Sequence, residues 1–338
     1  MNRFLPADQY SLPVDRGPVI ALKKVTTVLL AIHERFTSTL YIGEAFIRQG
    51  NDFVLTKTES VVGDDRELQG GYGTINPESV IEANGIAYWW DAYRGAVVRY
   101  TNAGLFAISD YGMFNYFLAK GRQLLPYRNI VKVVTAYDFL NSELLITFCD
   151  VLDAGGAIVI PGETWAFNTK RNEWRSRYSF VPERYGSTET DLVSFKGGQL
   201  WHHHKNSLYN NFYGVQYGRM WKFISNPQLG KNKRWLNVHI KGEVATDQAN
   251  SELEAVRITT KEGQKSFIPA YEFQMEEGKY VAPILKDINT VVEEGQLPLR
   301  SGDDIVSEYA EIEVNNDRVD AAEVSQVNIM YKVEEFSI

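Results

Sequence analysis

The chain has a single cysteine, Cys149, in 338 residues. An intrachain disulfide and a cysteine-built zinc site are both impossible, so a disulfide-stapled extracellular scaffold is excluded. Cys149 sits in the apolar run LLITFCD, where a free cysteine reads as a small buried hydrophobe. Long hydrophobic runs are missing too. Stretches such as VLLAI at Val28–Ile32 fall far short of the roughly 20 residues a membrane-spanning helix needs. The opening MNRFLPADQYSLPVDRG lacks the apolar centre of a secretory signal, so use without export by the usual route is expected. Catalytic signatures are absent as well: there is no G-x-S-x-G, H-E-x-x-H, P-loop or G-x-G-x-x-G. Helical periodicity is scarce. The segment GMFNYFLAKGRQLL, Gly112–Leu125, is the exception and predicts one short amphipathic helix from Met113, Phe114, Phe117, Leu118 and Leu125.

What is present is apolar mass and aromatic side chains. Hydrophobic residues make up 44% and aromatic residues 13%, which suits a strand-rich globular chain. The net charge of −8 is unevenly spread. Residues 241–338 carry 21 acidic and 9 basic side chains, a net of −12, while residues 1–240 carry a net of +4. All seven tryptophans precede residue 241. Both shifts place a domain boundary around residues 228–241, giving domains of 1–230 and 231–338. The weakly basic first part has no cluster dense enough for a nucleic-acid footprint.

The first 240 residues alternate with period 2 and carry turn signals every eight to twelve residues. Ser79–Ser109 parses into four strands: Ser79–Glu82, Ile86–Asp91, Ala96–Tyr100 and Leu105–Ser109, with an Asn84–Gly85 hairpin signal between the first two. Further sets of four are expected near 19–58, 131–180 and 190–226. Four antiparallel strands repeated every 50 to 60 residues or so is the signature of a β-propeller, whose stacked blades bury both faces of each small sheet. The expected fold is therefore all-β: propeller-like blades, then an acidic β-sandwich of six to eight strands. In the last strand, Val324, Val327, Ile329, Tyr331 and Val333 share a face, with a bulge expected at Gln326.

Several candidate sites compete with plainer readings. In WHHHK, His202 and His204 share one strand face and could hold zinc or copper, but no further ligand is evident, so polar strand-edge histidines are preferred. Gly70-Gly71-Tyr72-Gly73 reads as a turn between blades, not a phosphate cradle, because a strand follows it. Ser109–Phe114 resembles a sialidase Asp-box only loosely. Asp303 and Asp304 lack calcium-loop spacing. Asp91 and Arg94 bracket a turn, where a surface ion pair or turn hydrogen bond is expected. No catalytic residue, metal ligand or cofactor is expected. Trp89, Trp90 and Tyr93 could stack on sugars. However, Ile86, Tyr88 and Trp90 fall on one face of their strand and Ala87, Trp89 and Asp91 on the other, as in a blade held between two others. That leaves the turn Tyr93-Arg94 as the candidate partner contact.

The segment Gly73–Phe117 resembles a recurrent segment in tail proteins of crAss-like bacteriophages, short-tailed phages of gut Bacteroidales. The matching residues are Gly73, Ile75, Pro77, Ser79, Val80, Asp91, Gly95, Val97, Arg99, Tyr100, Asn102, Gly104, Ile108, Ser109, Tyr111 and Met113. Ile268-Pro269, Glu277-Gly278-Lys279-Tyr280 and Leu299–Asp304 are similar to the terminal β-domain of the same proteins. The likeness weakens at Ile305-Val306-Ser307, where a G-x-x-x-R-G run is usual. The resemblance implies a non-enzymatic virion protein of the distal tail, of the muzzle or stabilisation type. Its partners would be other tail proteins and further copies of itself, and it would be assembled in the host cytoplasm. Proteins of that type are longer, so this chain is either a fragment or a short relative. The alternatives are a carbohydrate-binding or glycan-degrading propeller and a protein-interaction scaffold.

Overall fold

A computed structural model describes residues 9–49, 52–208, 210–243, 255–316 and 323–334. The chain divides into two compact units, Met1–Lys205 and Asn206–Ile338. Each is built almost wholly from antiparallel strands.

In the first unit, β1 (Val19–Val25), β2 (Val28–His33), β3 (Thr37–Gln49) and β4 (Asp52–Glu67) form one four-stranded meander. A second is formed by β5 (Ile81–Ala83), β6 (Ile86–Asp91), β7 (Ala96–Thr101) and β8 (Gly104–Ala107). Helix α1 (Phe114–Leu124) then leads to the third sheet, made of β9 (Val133–Asp138), β10 (Glu143–Phe148), β13 (Glu163–Asn168) and β14 (Glu173–Tyr178). A small hairpin, β11 (Val151–Leu152) with β12 (Ile158–Ile160), interrupts it. The fourth sheet has three strands: β15 (Arg184–Ser187), β16 (Leu192–Lys196) and β17 (Gln199–His202). The first strands of successive sheets, β1, β5, β9 and β15, adjoin in series.

The alternation in β6 explains how these sheets stack. Ala87 and Trp89 face a core shared with Val25, Leu30 and Ile32 of the first sheet. Tyr88 and Trp90 face a core shared with Val133, Leu144, Ile146 and Phe148 of the third sheet and Phe117 of α1. Trp89 and Trp90 are both 0% exposed. The second sheet is thus buried on both faces, as its two-sided aromatic pattern requires. Helix α1 lies where its periodicity predicts and buries Phe117, Gly121 and Leu124, whereas Phe114 is 54% exposed. The helix starts at Phe114, so that side chain projects from the first turn.

The expected fourth set, 190–226, is divided differently. Asp191–Lys196 and Gln199–His204 pair as β16 and β17, but their third strand is β15, which precedes them. Asn211–Tyr217 folds back on itself as the hairpin β18 (Asn211–Phe212) and β19 (Val215–Gln216). Met220–Ser225 lies in β20 (Arg219–Ser225), which pairs with β27 (Ala310–Asn316) of the second unit. The reason is complementarity beyond local spacing. Lys222 meets Glu311 at 2.7 Å, and Trp221 and Phe223 turn toward the second unit's core.

That unit contains two sheets around one core. The first follows the order β20–β27–β22–β23, with β22 Ala255–Thr260 and β23 Lys265–Pro269. The second joins β24 (Gln274–Glu276), β25 (Lys279–Pro283), β21 (Lys233–Glu243), β26 (Val306–Ser307) and β28 (Glu323–Val333). Trp235, Val238 and Ile240 from β21 pack with Val256, Ile258, Ile312 and Val314 of the other sheet. Of the two register shifts between β21 and β28, one falls between Val324 and Gln326, where the alternation breaks, and the other leaves an extra residue on β21 between Trp235 and Asn237. Val327, Ile329 and Tyr331 line the core; the side chain of Val324 and residues 251–254 of the expected second strand lie outside the described residues. Charges pair across the unit too. Arg234 reaches Asp304 and Glu334, both at 2.6 Å, and Arg257 reaches Glu313 at 3.1 Å.

Candidate functional site

The turn after β6 is the meeting point of the first two sheets and α1. Asp91, the last residue of β6, is fully buried. Its carboxylate accepts the backbone N–H of Gly73 and of Arg94, each at 3.0 Å, and Arg94 Nη1 lies 3.7 Å away. The expected turn bond is present, but the surface ion pair becomes a buried anchor. Burial pushes the Asp91 carboxyl above its ordinary range, against the pull of these donors.

Tyr93 and Arg94, the candidate contact residues, already have partners inside the first unit. The Tyr93 hydroxyl donates to Glu34 Oε1 at 2.5 Å, and Arg35 lies 5.4 Å from the Tyr93 ring centre. Arg94 lies 5.5 Å from the centre of the Tyr72 ring. Both tie the turn to the β2–β3 connection and to the linker after β4. Tyr93 keeps partial exposure and Arg94 is exposed, so one side of this turn faces solvent.

The residues shared with the phage tail segment cluster at these seams. A Cβ on Gly73 would lie 2.5 Å from backbone atoms of Glu34 and Arg35. Gly95, at φ +60°, has the Phe117 carbonyl oxygen 2.7 Å from where its Cβ would stand, and Gly121 presses on Gly95 from the helix. The Ser79 hydroxyl donates to the Asn76 carbonyl at 2.7 Å and accepts Trp90 N–H at 3.2 Å. Asn76 Nδ2 donates to the Val131 carbonyl at 3.1 Å, stitching the second sheet toward the third. Arg99 donates to Asn172 Oδ1 at 2.7 Å and to the Tyr111 hydroxyl at 3.2 Å. The segment reads as a set of joints between sheets.

The carboxylates of the third sheet are committed as well. Glu143 takes Arg175 at 3.1 Å and the Tyr178 hydroxyl at 3.0 Å. Glu163 takes Arg177 at 3.0 Å, together with Tyr116 and Lys120 of α1. Because Glu143 pairs with Asn168 and Glu163 with Phe148, the two stand at opposite ends of β10 and β13. They are not arranged as the paired carboxylates of a glycosidase. Trp89 and Trp90, both 0% exposed, offer no sugar-stacking face. Cys149 is half-buried; its thiol contacts the Pro182 carbonyl at 3.5 Å, and burial pushes it up to about 11.

The histidine run sits at the end of the fourth sheet. His202 and His204 do not converge on a common point. His202 Nε2 meets Asp191 at 2.7 Å, and His204 Nε2 meets Asp138 at 2.8 Å. His203 points inward, with Nε2 2.7 Å from the Ser194 hydroxyl and its ring 5.1 Å from that of Phe180. Among the described residues, no three His, Cys, Asp or Glu side chains are grouped to hold a metal ion. No helix among them is long and apolar enough to cross a membrane.

Sequence spacing marks the turn and both tryptophans, but not the tie from Tyr93 to Glu34 or from His204 to Asp138. Those partners lie 59 and 66 residues away, and no local signal links them.

Comparison with known proteins adds one informative match. Residues 207–287 match the family model described as the Crassvirus muzzle protein C-terminal domain. The match supports a muzzle protein of a crAss-like phage. It begins one residue inside the second unit and runs through β18 to β25, about a quarter of the chain. It thereby bears out the resemblance read from the sequence, and it contains Ile268-Pro269 and Glu277–Tyr280, on which part of that resemblance rests. The match also supports a structural role in the virion. No curated protein matches the chain. Among solved structures, the Bombyx mori GH32 beta-fructofuranosidase BmSUC1 aligns with 90% of this chain and 78% of its own, at 9% identity. Its TM-score is 0.17, too low to carry an argument.

Proposed function

We propose that this protein is a non-enzymatic component of a phage tail that acts by assembly, plugging or docking through extended surfaces. The observation that carries the reading is the muzzle-type match over residues 207–287. Two features of the first unit support it. The residues shared with tail proteins, such as Gly73, Asp91, Gly95 and Arg99, act as joints between sheets. Its buried carboxylates Glu143 and Glu163 are saturated by cationic and phenolic partners.

On this reading the four sheets of residues 19–202 are propeller-like blades, with β1, β5, β9 and β15 as their inner strands. A stack of that kind resists deformation because its middle sheets are clamped on both faces. The second unit presents a charged surface suited to contacts with other tail proteins and further copies of the chain. The solvent-facing side of Tyr93-Arg94 remains a candidate contact, braced from behind by Glu34 and Asp91. Assembly would take place in the host cytoplasm.

Antibody labelling of purified virions tests the placement. Label confined to the tail end supports it; label on the capsid, or none on intact and disrupted particles alike, sinks it. A screen of Tyr93→Ala and Arg94→Ala together for incorporation into particles tests the contact. Normal incorporation of a folded double variant removes that turn from the interface.

A further inference from the structure

The seam between the third and fourth sheets of the first unit is built from hydroxyls and imidazoles. Thr147 of β10 meets both Thr164 of β13 and the Tyr185 hydroxyl of β15 at 2.7 Å. Beyond them stands the His204–Asp138 pair, at 2.8 Å, joining the residues that follow β17 to the end of β9. The other contacts of Asp138 are local: Leu140 N–H and Asn141 N–H on Oδ1, and Asn141 Nδ2 on Oδ2. His204 is thus the group that connects this carboxylate to the fourth sheet.

Three features make the pair responsive. Asp138 is 3% exposed, so its charge is poorly served by water and depends on its partners. A cavity of about 140 Å³, lined by Asp138, Leu140, Asp191, His203, His204 and Lys205 among others, gives protons a way in. His204 itself is held at φ +60°, a left-handed conformation that a non-glycine residue keeps when its surroundings demand it.

We propose that the His204–Asp138 pair is a proton-operated latch that holds the last sheet of the first unit closed against the third. The groups facing His204 are Asp138 of β9, Glu143 of β10, and His203 and Lys205 on its own segment. Glu143 is balanced by Arg175 and Tyr178 of β14. Asp191, which lines the same cavity, is engaged by His202 at 2.7 Å and Lys205 at 3.4 Å. The hydrogen bond to Asp138 raises the imidazole above its ordinary value, and the same bond helps hold Asp138 below the usual carboxylate range despite burial. With the folded value raised, the latch is fully engaged below about pH 6.5 and weakens as pH rises through the folded value. His203 works in the opposite direction, because burial pushes it down to about 4; its influence falls below about pH 6.5. The range above pH 6.5 therefore isolates His204.

The test is hydrogen exchange on the full chain between pH 6.5 and 8.5, corrected for intrinsic amide rates. Amides of β16 and β17 are compared with those of β6 and β7. In the wild type, protection of the fourth sheet should fall about three- to tenfold over this range while β6 and β7 hold steady. His204→Gln keeps an N–H donor but does not titrate, so its profile should be flat. A wild-type profile that is flat, or one that His204→Gln reproduces with the same slope, overturns the proposal. An NMR titration of the wild-type imidazole provides a check independent of the variant. A midpoint above 6.5 supports the latch, and one at or below 6.5 overturns it.

Discussion

The two seams that flank the third sheet of the first unit use opposite chemistry. Toward the second sheet and α1, the seam is aromatic: Trp90, Phe117, Phe148, Phe167 and Trp174 interlock, with Trp90 and Phe148 edge-on at 4.9 Å. Toward the fourth sheet, it is a chain of hydroxyls ending in histidines. The aromatic seam gains from removing apolar area from water and is nearly indifferent to pH. The polar seam gains only modestly per hydrogen bond, because water offers nearly equal partners. What it adds is direction and sensitivity to protonation. One seam makes the unit stable; the other makes its last sheet adjustable.

The largest way to break this contrast is Trp90→Ala. It should cost about 3–5 kcal/mol, measured by denaturant unfolding, because it empties a fully buried site. Unchanged stability with loss of particle incorporation would instead make Trp90 a contact residue. Next comes Gly95→Ala. Its Cβ would meet the Phe117 oxygen at 2.7 Å from a residue at φ +60°, and both the collision and the conformation count against it. A loss of about 2–4 kcal/mol in the same assay is expected. A neutral effect would show that α1 can lift away from the turn.

The polar seam should respond to acid. His203 is half-buried, which holds it down to about 4, so its contribution is whole above pH 6.5 and is lost as pH falls below 6.5 toward 4. Between pH 7 and pH 5 the wild type should lose on the order of 1–2 kcal/mol more than His203→Gln, which keeps a donor for Ser194. Parallel losses would remove His203 from the acid response. The smallest effect belongs to Thr147→Val. It deletes a hydroxyl shared by Thr164 and Tyr185 while keeping the side-chain shape, at a cost of about 1 kcal/mol by thermal unfolding. A cost as large as that of Trp90→Ala would erase the distinction between the seams.

Charge shows where linear reading misleads. Residues 206–240 hold five basic side chains and no acidic one, and the acidic excess begins directly afterwards. Read along the chain, that contrast resembles a boundary around residues 228–241. In the folded chain the two stretches are partners: Lys222 meets Glu311, and Arg234 meets Asp304 and Glu334. The basic side chains of β20 and β21 answer carboxylates on β27, just before β26 and just after β28, and the compact units divide at Lys205. Opposite charges on paired strands lie far apart in sequence, so composition alone separates what pairing joins.

The sequence by itself determined the strands, their turns, the short helix and the two-faced burial of β6. These depend on neighbours a few residues apart: a period of two, an Asn-Gly turn, an apolar spacing of three and four. It also carried the likeness to phage tail proteins, over Gly73–Phe117 and again between Ile268 and Asp304. Tertiary structure alone decided which sheet β20 joins and why Asp91 is a buried anchor. It likewise decided that Tyr93 is braced by Glu34 and that His204 latches onto Asp138. Each rests on groups brought together across 18 to 97 residues by packing that no local pattern encodes.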